Sequence, residues 1–272
     1  MFTFGKKNKP QEPSGSCLLL PSELKNWSLS LRDQPLLKKV NLTLEAGRIH
    51  GLVGSSGSGK SLTVKSLLGL TPPTMRPEGE RILFGQNTKG WNDRQDRRAR
   101  QSIGFVPQSP MTALDGHKKL KSQLFALAPS KPREELLCDY QRLWELLKLD
   151  NAEHILHRYP WQLSGGQLQR LILSMALVRH PPLLLCDEPT TALDPIATAS
   201  LIEMLRLAVK EGSAVLFVTH NLALCEHFAH KVSVMAGGEI VEEGTPQQLM
   251  SAPNHPVTVA LWRAARTERR QR

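Results

Sequence analysis

The chain has 272 residues, is 40% hydrophobic and 22% charged, and holds 19 glycines and 19 prolines. That accommodates one large α/β domain or two small ones with a full core, and it excludes collagen-like, fibrous and low-complexity classes. The net charge of +10 lies largely at the ends, with +4 in residues 263–272 and +2 in residues 1–12. Nucleic acid, an anionic membrane face and plain solvent all fit such tails, so charge alone assigns no partner.

Residues 1–22 are polar and aperiodic and read as a flexible leader, without the apolar region of a secretory signal. Over residues 24–56 the short apolar runs LKNWSLSL, VNLTL and IHGLVG alternate with turns and predict a meander of strands. Leu62, Val64, Leu67, Leu68 and Leu70 give Lys60–Leu70 a helical apolar face. ERILF and SIGFVPQ predict two further strands, and EELLCDYQRLWELLKL over 134–149 a helix. A strong helix, QLQRLILSMALVRH, follows Ser164. The all-apolar runs LLLC and AVLFVT suit central parallel strands covered on both faces, with the amphipathic helix TASLIEMLRLAVK between them. No internal repeat is visible. No run reaches the ~18 apolar residues of a transmembrane helix. The four cysteines have neither metal nor disulfide spacing, as expected in a reducing compartment.

Three motifs carry chemistry. Gly54-Ser55-Ser56-Gly57-Ser58-Gly59-Lys60-Ser61 matches the phosphate-binding loop pattern, entered by a strand and left by a helix. Its glycines let successive N–H groups point inward at a helix N-terminus, Lys60 reaches the β/γ-phosphates, and Ser61 can ligate Mg²⁺. A glycine–serine linker is the bland alternative, but no linker requires Lys-Ser and a clean helix after it. Leu183–Glu188 is an apolar strand ending in two carboxylates. Asp187 would hold Mg²⁺ through water and Glu188 would act as general base on the attacking water; alone, the pair is also a plain strand-terminal acidic turn. Leu163-Ser164-Gly165-Gly166-Gln167 opens a helix with Ser164 as N-cap. Two glycines there are costly unless something anionic docks.

With these motifs the chain resembles the nucleotide-binding subunits of ABC transporters over roughly residues 23–262. The resemblance implies an α/β fold: a P-loop ATPase with a RecA-like core, an N-terminal antiparallel β subdomain and a helical subdomain at about 109–168. The ATPase domain would span 23–250, followed by a C-terminal segment, 251–272, with the basic tail. It assigns the signature to Ser164, Gly165, Gly166 and Gln167, and the Q-loop to Gln108, which contacts Mg²⁺ and couples to the membrane subunits. The D-loop falls on Thr191-Ala192-Leu193-Asp194, where Asp194 with Pro195 also reads as a helix start, and the switch histidine on His220. Lys60, Ser61, Gln108, Asp187, Glu188 and His220 would act on one ATP while the facing subunit's signature closes over it.

Gln108–Leu114, Tyr159-Pro160 and Asn254-His255-Pro256 resemble the peptide/nickel importer group, and the short C-terminus resembles its nickel or metal-chelate ATPases. The implied partners are two integral membrane permease subunits, a second ATPase subunit that is a paralogue or another copy, and, indirectly, a periplasmic or extracellular solute-binding protein. No nucleic acid partner is expected. The implied location is peripheral, on the cytoplasmic face of the inner (plasma) membrane. A soluble ABC ATPase acting on nucleic acid or ribosomes and an exporter ATPase are the alternatives. One departure stands out: Leu31 occupies the position where the family places an aromatic ring against adenine, and Trp27, four residues earlier, is assigned to packing.

Overall fold

The structure is a computed structural model that describes residues 20–149, 152–191 and 193–270. The chain opens with β1 (Ser22–Leu31), β2 (Gln34–Leu44), β3 (Ile49–Val53) and α1 (Lys60–Leu68). Then come β4 (Met75–Leu83), β5 (Gln86–Asn87), α2 (Asp93–Gln101) and β6 (Ile103–Val106). A helical stretch follows: α3 (Leu120–Ala126), α4 (Arg133–Leu146), α5 (Ala152–Leu156) and α6 (Gly165–Leu177), with 3-10 turns at Pro110–Ala113 and Pro160–Gln162. The last part comprises β7 (Leu183–Asp187), α7 (Pro195–Lys210), β8 (Ala214–Thr219), α8 (Leu222–Cys225), β9 (Lys231–Ala236), β10 (Glu239–Gly244), α9 (Pro246–Ser251) and α10 (Pro256–Arg270).

Two sheets result. The smaller is antiparallel, in the order β2-β1-β4-β5. The larger runs β10-β9-β3-β8-β7-β6 and is parallel except for β10. Every residue of β7 and of β8 is buried, as all-apolar strands in a doubly covered parallel sheet must be. Strand period two divides the side chains between two layers. Leu183, Leu185, Leu216 and Val218 pack with α1 and the small sheet. Leu184, Cys186, Val215 and Phe217 pack with α4, α6, α7 and α8. The expected α/β core, antiparallel part and helical stretch are therefore all present.

Local departures have local causes. β4 begins at Met75, ahead of the expected ERILF, because Met75–Glu78 already pair with Leu31–Ser28 of β1 in spite of Pro77. A β-bulge there brings the backbones so close that a Cβ on Gly79 (φ +98°) would lie 2.5 Å from the Asn26 carbonyl oxygen. α2 buries no residue and so has no apolar period to read; its signal is the capping box between Asn92 and Gln95. β6 stops at Val106, so Gln108 lies two residues past the strand and does not end it. The first strand starts at Ser22, the last residue assigned to the leader. Residues 1–19 of that leader, Ala192 and the last two residues of the basic tail lie outside the described residues.

Candidate functional site

Strand register brings the site together. Val53 pairs with Thr219, Asp187 with Val218, and Cys186 with Val106. The carboxyl ends of β3, β8, β7 and β6 therefore lie level, and the residues that leave them share one edge of the sheet, where open α/β sheets bind ligands.

Leaving β3, the loop from Gly54 to Ser61 winds tightly. Gly57 and Gly59 have φ of +78° and +109°. Gly54 admits no side chain, since a Cβ there would lie 2.3 Å from the Met235 carbonyl oxygen and 2.6 Å from Ser58 Oγ. Lys60 Nζ donates to the carbonyls of Gly54 (2.9 Å) and Ser55 (2.8 Å), folding the ammonium back over its own loop. Burial holds the Lys60 ammonium below its usual pKa, opposed by the charges of Glu188 and Asp187.

Across from it, β7 delivers the carboxylates. Burial pushes the Asp187 carboxyl up, opposed by a hydrogen bond from Ser61, while the neighbouring charge of Glu188 pushes it further up. Asp187 Oδ1 and Ser58 Oγ are buried without a hydrogen-bond partner among the described residues. A buried carboxylate with one unpaired oxygen, hydrogen-bonded by the Ser61 hydroxyl, is a hard-oxygen set of the kind Mg²⁺ takes, so the residues fit that ion. Glu188 adopts φ +48°, a left-handed conformation that costs on the order of 1–3 kcal/mol outside glycine. Its N–H donates to the Val218 carbonyl at 3.0 Å and its own carbonyl accepts from the Thr191 hydroxyl at 3.1 Å, which together hold the turn. One oxygen of its carboxylate meets two neighbours: Gln108 Nε2 at 3.2 Å and His220 Nδ1 at 3.6 Å. The fold thus gathers Lys60, Ser61, Gln108, Asp187, Glu188 and His220 at one place.

The signature residues make no hydrogen bond or ion pair with that cluster among the described residues. Ser164 caps α6 by accepting from the Gln167 N–H, and the Gln167 side chain accepts from the Ser164 N–H, closing a capping box. Ser164 and Gly165 are exposed and Gly166 half-exposed. Asp194 caps α7 through the Ala197 N–H, a bond that keeps its carboxyl below the usual range. Arg170 of α6 bonds both the Lys148 carbonyl and Asp194, tying the signature helix to the start of α7.

Sequence reasoning missed the turn between β9 and β10. Gly238 donates to the Ser58 carbonyl at 3.0 Å and accepts from the Lys38 N–H at 2.9 Å, joining the phosphate loop to the small sheet. The pair Gly237-Gly238 was the available signal. Trp27 lies in the core, 8% exposed, and Leu31 stands at the end of β1, 37% exposed.

Residues 37–191 match the family described as ABC transporter. The dipeptide transport ATP-binding protein DppD of Lactococcus lactis is 36% identical over 250 residues, covering 88% of this chain and 72% of that one. The metal-staphylopine import system ATP-binding protein CntD of Staphylococcus aureus is 35% identical over 238 residues, covering 84% and 86%. Among solved structures, a dimeric bacterial ABC transporter cassette matches with TM-score 0.73 at 27% identity, over 83% of this chain and 98% of that one. The same cassette in a dimeric post-hydrolysis state with ADP and phosphate bound matches equally well.

Proposed function

This chain belongs to the ABC transporter family as an ATP-binding and ATP-hydrolysing subunit, and from that premise we propose that it energises an importer of nickel or metal chelates, or of di- and oligopeptides. The names of its metal-staphylopine and dipeptide relatives support that pair of cargo classes. Its membrane partners are two permease subunits, a reading supported by the transport-system names of its relatives; no helix of the described residues is long and apolar enough to cross a membrane. They dock in the groove beside Gln108 lined by Phe105, Pro107, Thr112, Leu114 and Met175. In this arrangement a solute-binding protein delivers cargo on the far side, and the chain sits peripherally on the cytoplasmic face of the inner membrane. The ATPase domain spans 23–250 with its helical subdomain at about 109–168, and the remainder is a C-terminal segment.

The single observation that carries the site assignment is the meeting of Gln108 and His220 on one carboxylate oxygen of Glu188. Glu188 takes a proton from the water that attacks the γ-phosphorus; as the new phosphorus–oxygen bond forms, the bond to the bridging oxygen breaks and ADP leaves. Gln108 and His220 aim that carboxylate. Lys60 and the backbone N–H groups from Ser55 to Ser61 hold the phosphates. Ser61, Asp187 and Gln108 would hold Mg²⁺, which when bound neutralises charge on the β- and γ-phosphates. Ser164, Gly165, Gly166, Gln167 and Asp194 complete the site of a second ATPase subunit, a paralogue or another copy, by closing over its nucleotide; the dimeric form of the similar cassette supports this.

Glu188→Gln tests the reading. It should retain MgATP binding and lower turnover of the assembled transporter by about 10²–10⁴-fold, the usual loss of a general base. Turnover near that of the unmodified protein would remove Glu188 from the base role.

A further inference from the structure

Away from the nucleotide site, α3 and the first turn of α4 border an open groove. Lys119, Lys121, Lys131 and Arg133 line it, and no carboxylate does. Lys131 is paired with Asp139. Lys119 and Lys121 are exposed and make no ion pair among the described residues. The floor is apolar: Leu136 is buried, and the half-buried Phe125 ring lies 5.8 Å from the Arg133 guanidinium.

Two exposed lysines, Lys119 and Lys121, with no counter-charge among the described residues call for an anion, and a plain solvated patch would not need an apolar floor. A free phosphate would use the charge and ignore Phe125. An amphiphile with a phosphate head and apolar carbons beneath it uses both. Position adds a second argument, which rests on the permease docking proposed above. The same end of α3 borders both grooves, with Ala126 and Ala128 on this one and Leu127 on the one beside Gln108. A chain docked through Gln108's groove therefore brings the cationic groove close to the permease and the membrane surface around it. We propose that this groove docks the anionic phospholipid headgroups of the membrane surface.

The test is co-sedimentation of the full chain with vesicles of phosphatidylcholine alone or phosphatidylcholine with phosphatidylglycerol, at low salt. A basic residue near an anionic leaflet is worth roughly fivefold in partitioning, so Lys119→Gln/Lys121→Gln should weaken binding to phosphatidylglycerol vesicles about 30-fold. Binding to phosphatidylcholine alone should be weak and unchanged. Arg97→Gln/Arg98→Gln, at exposed positions of α2, removes the same charge elsewhere and should leave binding nearly intact. Equal losses in the two double variants would reduce the effect to net charge and overturn the proposal, as would undiminished binding by the lysine variant. In reconstituted transporter the lysine variant should lower ATPase activity only in phosphatidylglycerol-containing membranes. A loss of the same size in pure phosphatidylcholine would mean that an acidic protein surface occupies the groove, and would also overturn it. ATP affinity, measured on the same samples, should be unchanged by the lysine changes. Failure of the unmodified chain to bind ATP would instead defeat the functional reading and leave the vesicle result standing.

Discussion

Replacing Gly238 by alanine should cost far more than replacing its neighbour Gly237, although both lie in one turn and both have positive φ, +86° and +55°. At Gly237 a Cβ meets nothing within 4 Å, so the penalty is the left-handed conformation alone, about 1–2 kcal/mol. At Gly238 the new Cβ would lie 2.3 Å from the Leu36 carbonyl oxygen and 3.0 Å from its carbon. Both are backbone atoms, so the turn or β2 must shift, adding about 1–3 kcal/mol of overpacking to the same conformational term. The sum is about 2–5 kcal/mol. The shift also disturbs the Gly238-to-Ser58 hydrogen bond, and one such bond is worth about 0.5–1.5 kcal/mol, or roughly two- to tenfold in ATP affinity. Urea denaturation with an unchanged m-value gives the stability difference, and a nucleotide titration gives the affinity. Equal denaturation midpoints for the two alanine variants, with equal ATP affinity, would refute the claim that this turn braces the phosphate loop.

Lys60→Ala should weaken ATP binding by at least the roughly 1.5–3 kcal/mol of a charge-assisted hydrogen bond, read in the same titration; unchanged affinity would exclude Lys60 from the phosphates. Glu242 accepts from the N–H groups of Asn254 (2.8 Å) and His255 (3.0 Å) at the start of α10, so Glu242→Ala should destabilise that docked helix by about 1 kcal/mol, as loss of an N-cap does. Burial opposes ionisation of Glu242, but the bonds from the Asn254 and His255 N–H groups hold its carboxyl below the ordinary 4.5. The stabilisation is therefore complete above that value and lost as pH falls through the lowered folded-state pKa. Protection of the α10 amides relative to their intrinsic exchange rates should fall in acid in the unmodified protein and show no such step in the variant.

Contiguous patterns were legible. The phosphate loop, the Asp187-Glu188 pair and the Ser164 cap each lie within a few residues, and their local physics holds in any setting that folds. The meeting of Gln108, Glu188 and His220 was legible only through family resemblance, because three residues drawn from 108 to 220 carry no spacing signal. The Gly238 brace was invisible for a different reason: what demands glycine there is the Leu36 carbonyl, some 200 residues earlier. α2 escaped because a helix with no buried residue leaves no apolar period. In the sequence, Asn254-His255-Pro256 is legible only as a resemblance, with no physical account. The structure supplies one, since two of its N–H groups bind Glu242 and its proline begins α10.

The back-folded ammonium of Lys60 has a consequence for how quickly the loop can be loaded. Two of its three proton donors are already used by the Gly54 and Ser55 carbonyls, and the bends around it are set by glycine geometry and by the Gly238 brace. An arriving triphosphate therefore swaps one set of oxygen acceptors for another and does not have to organise a slack segment. Little chain freedom is left to lose at that step.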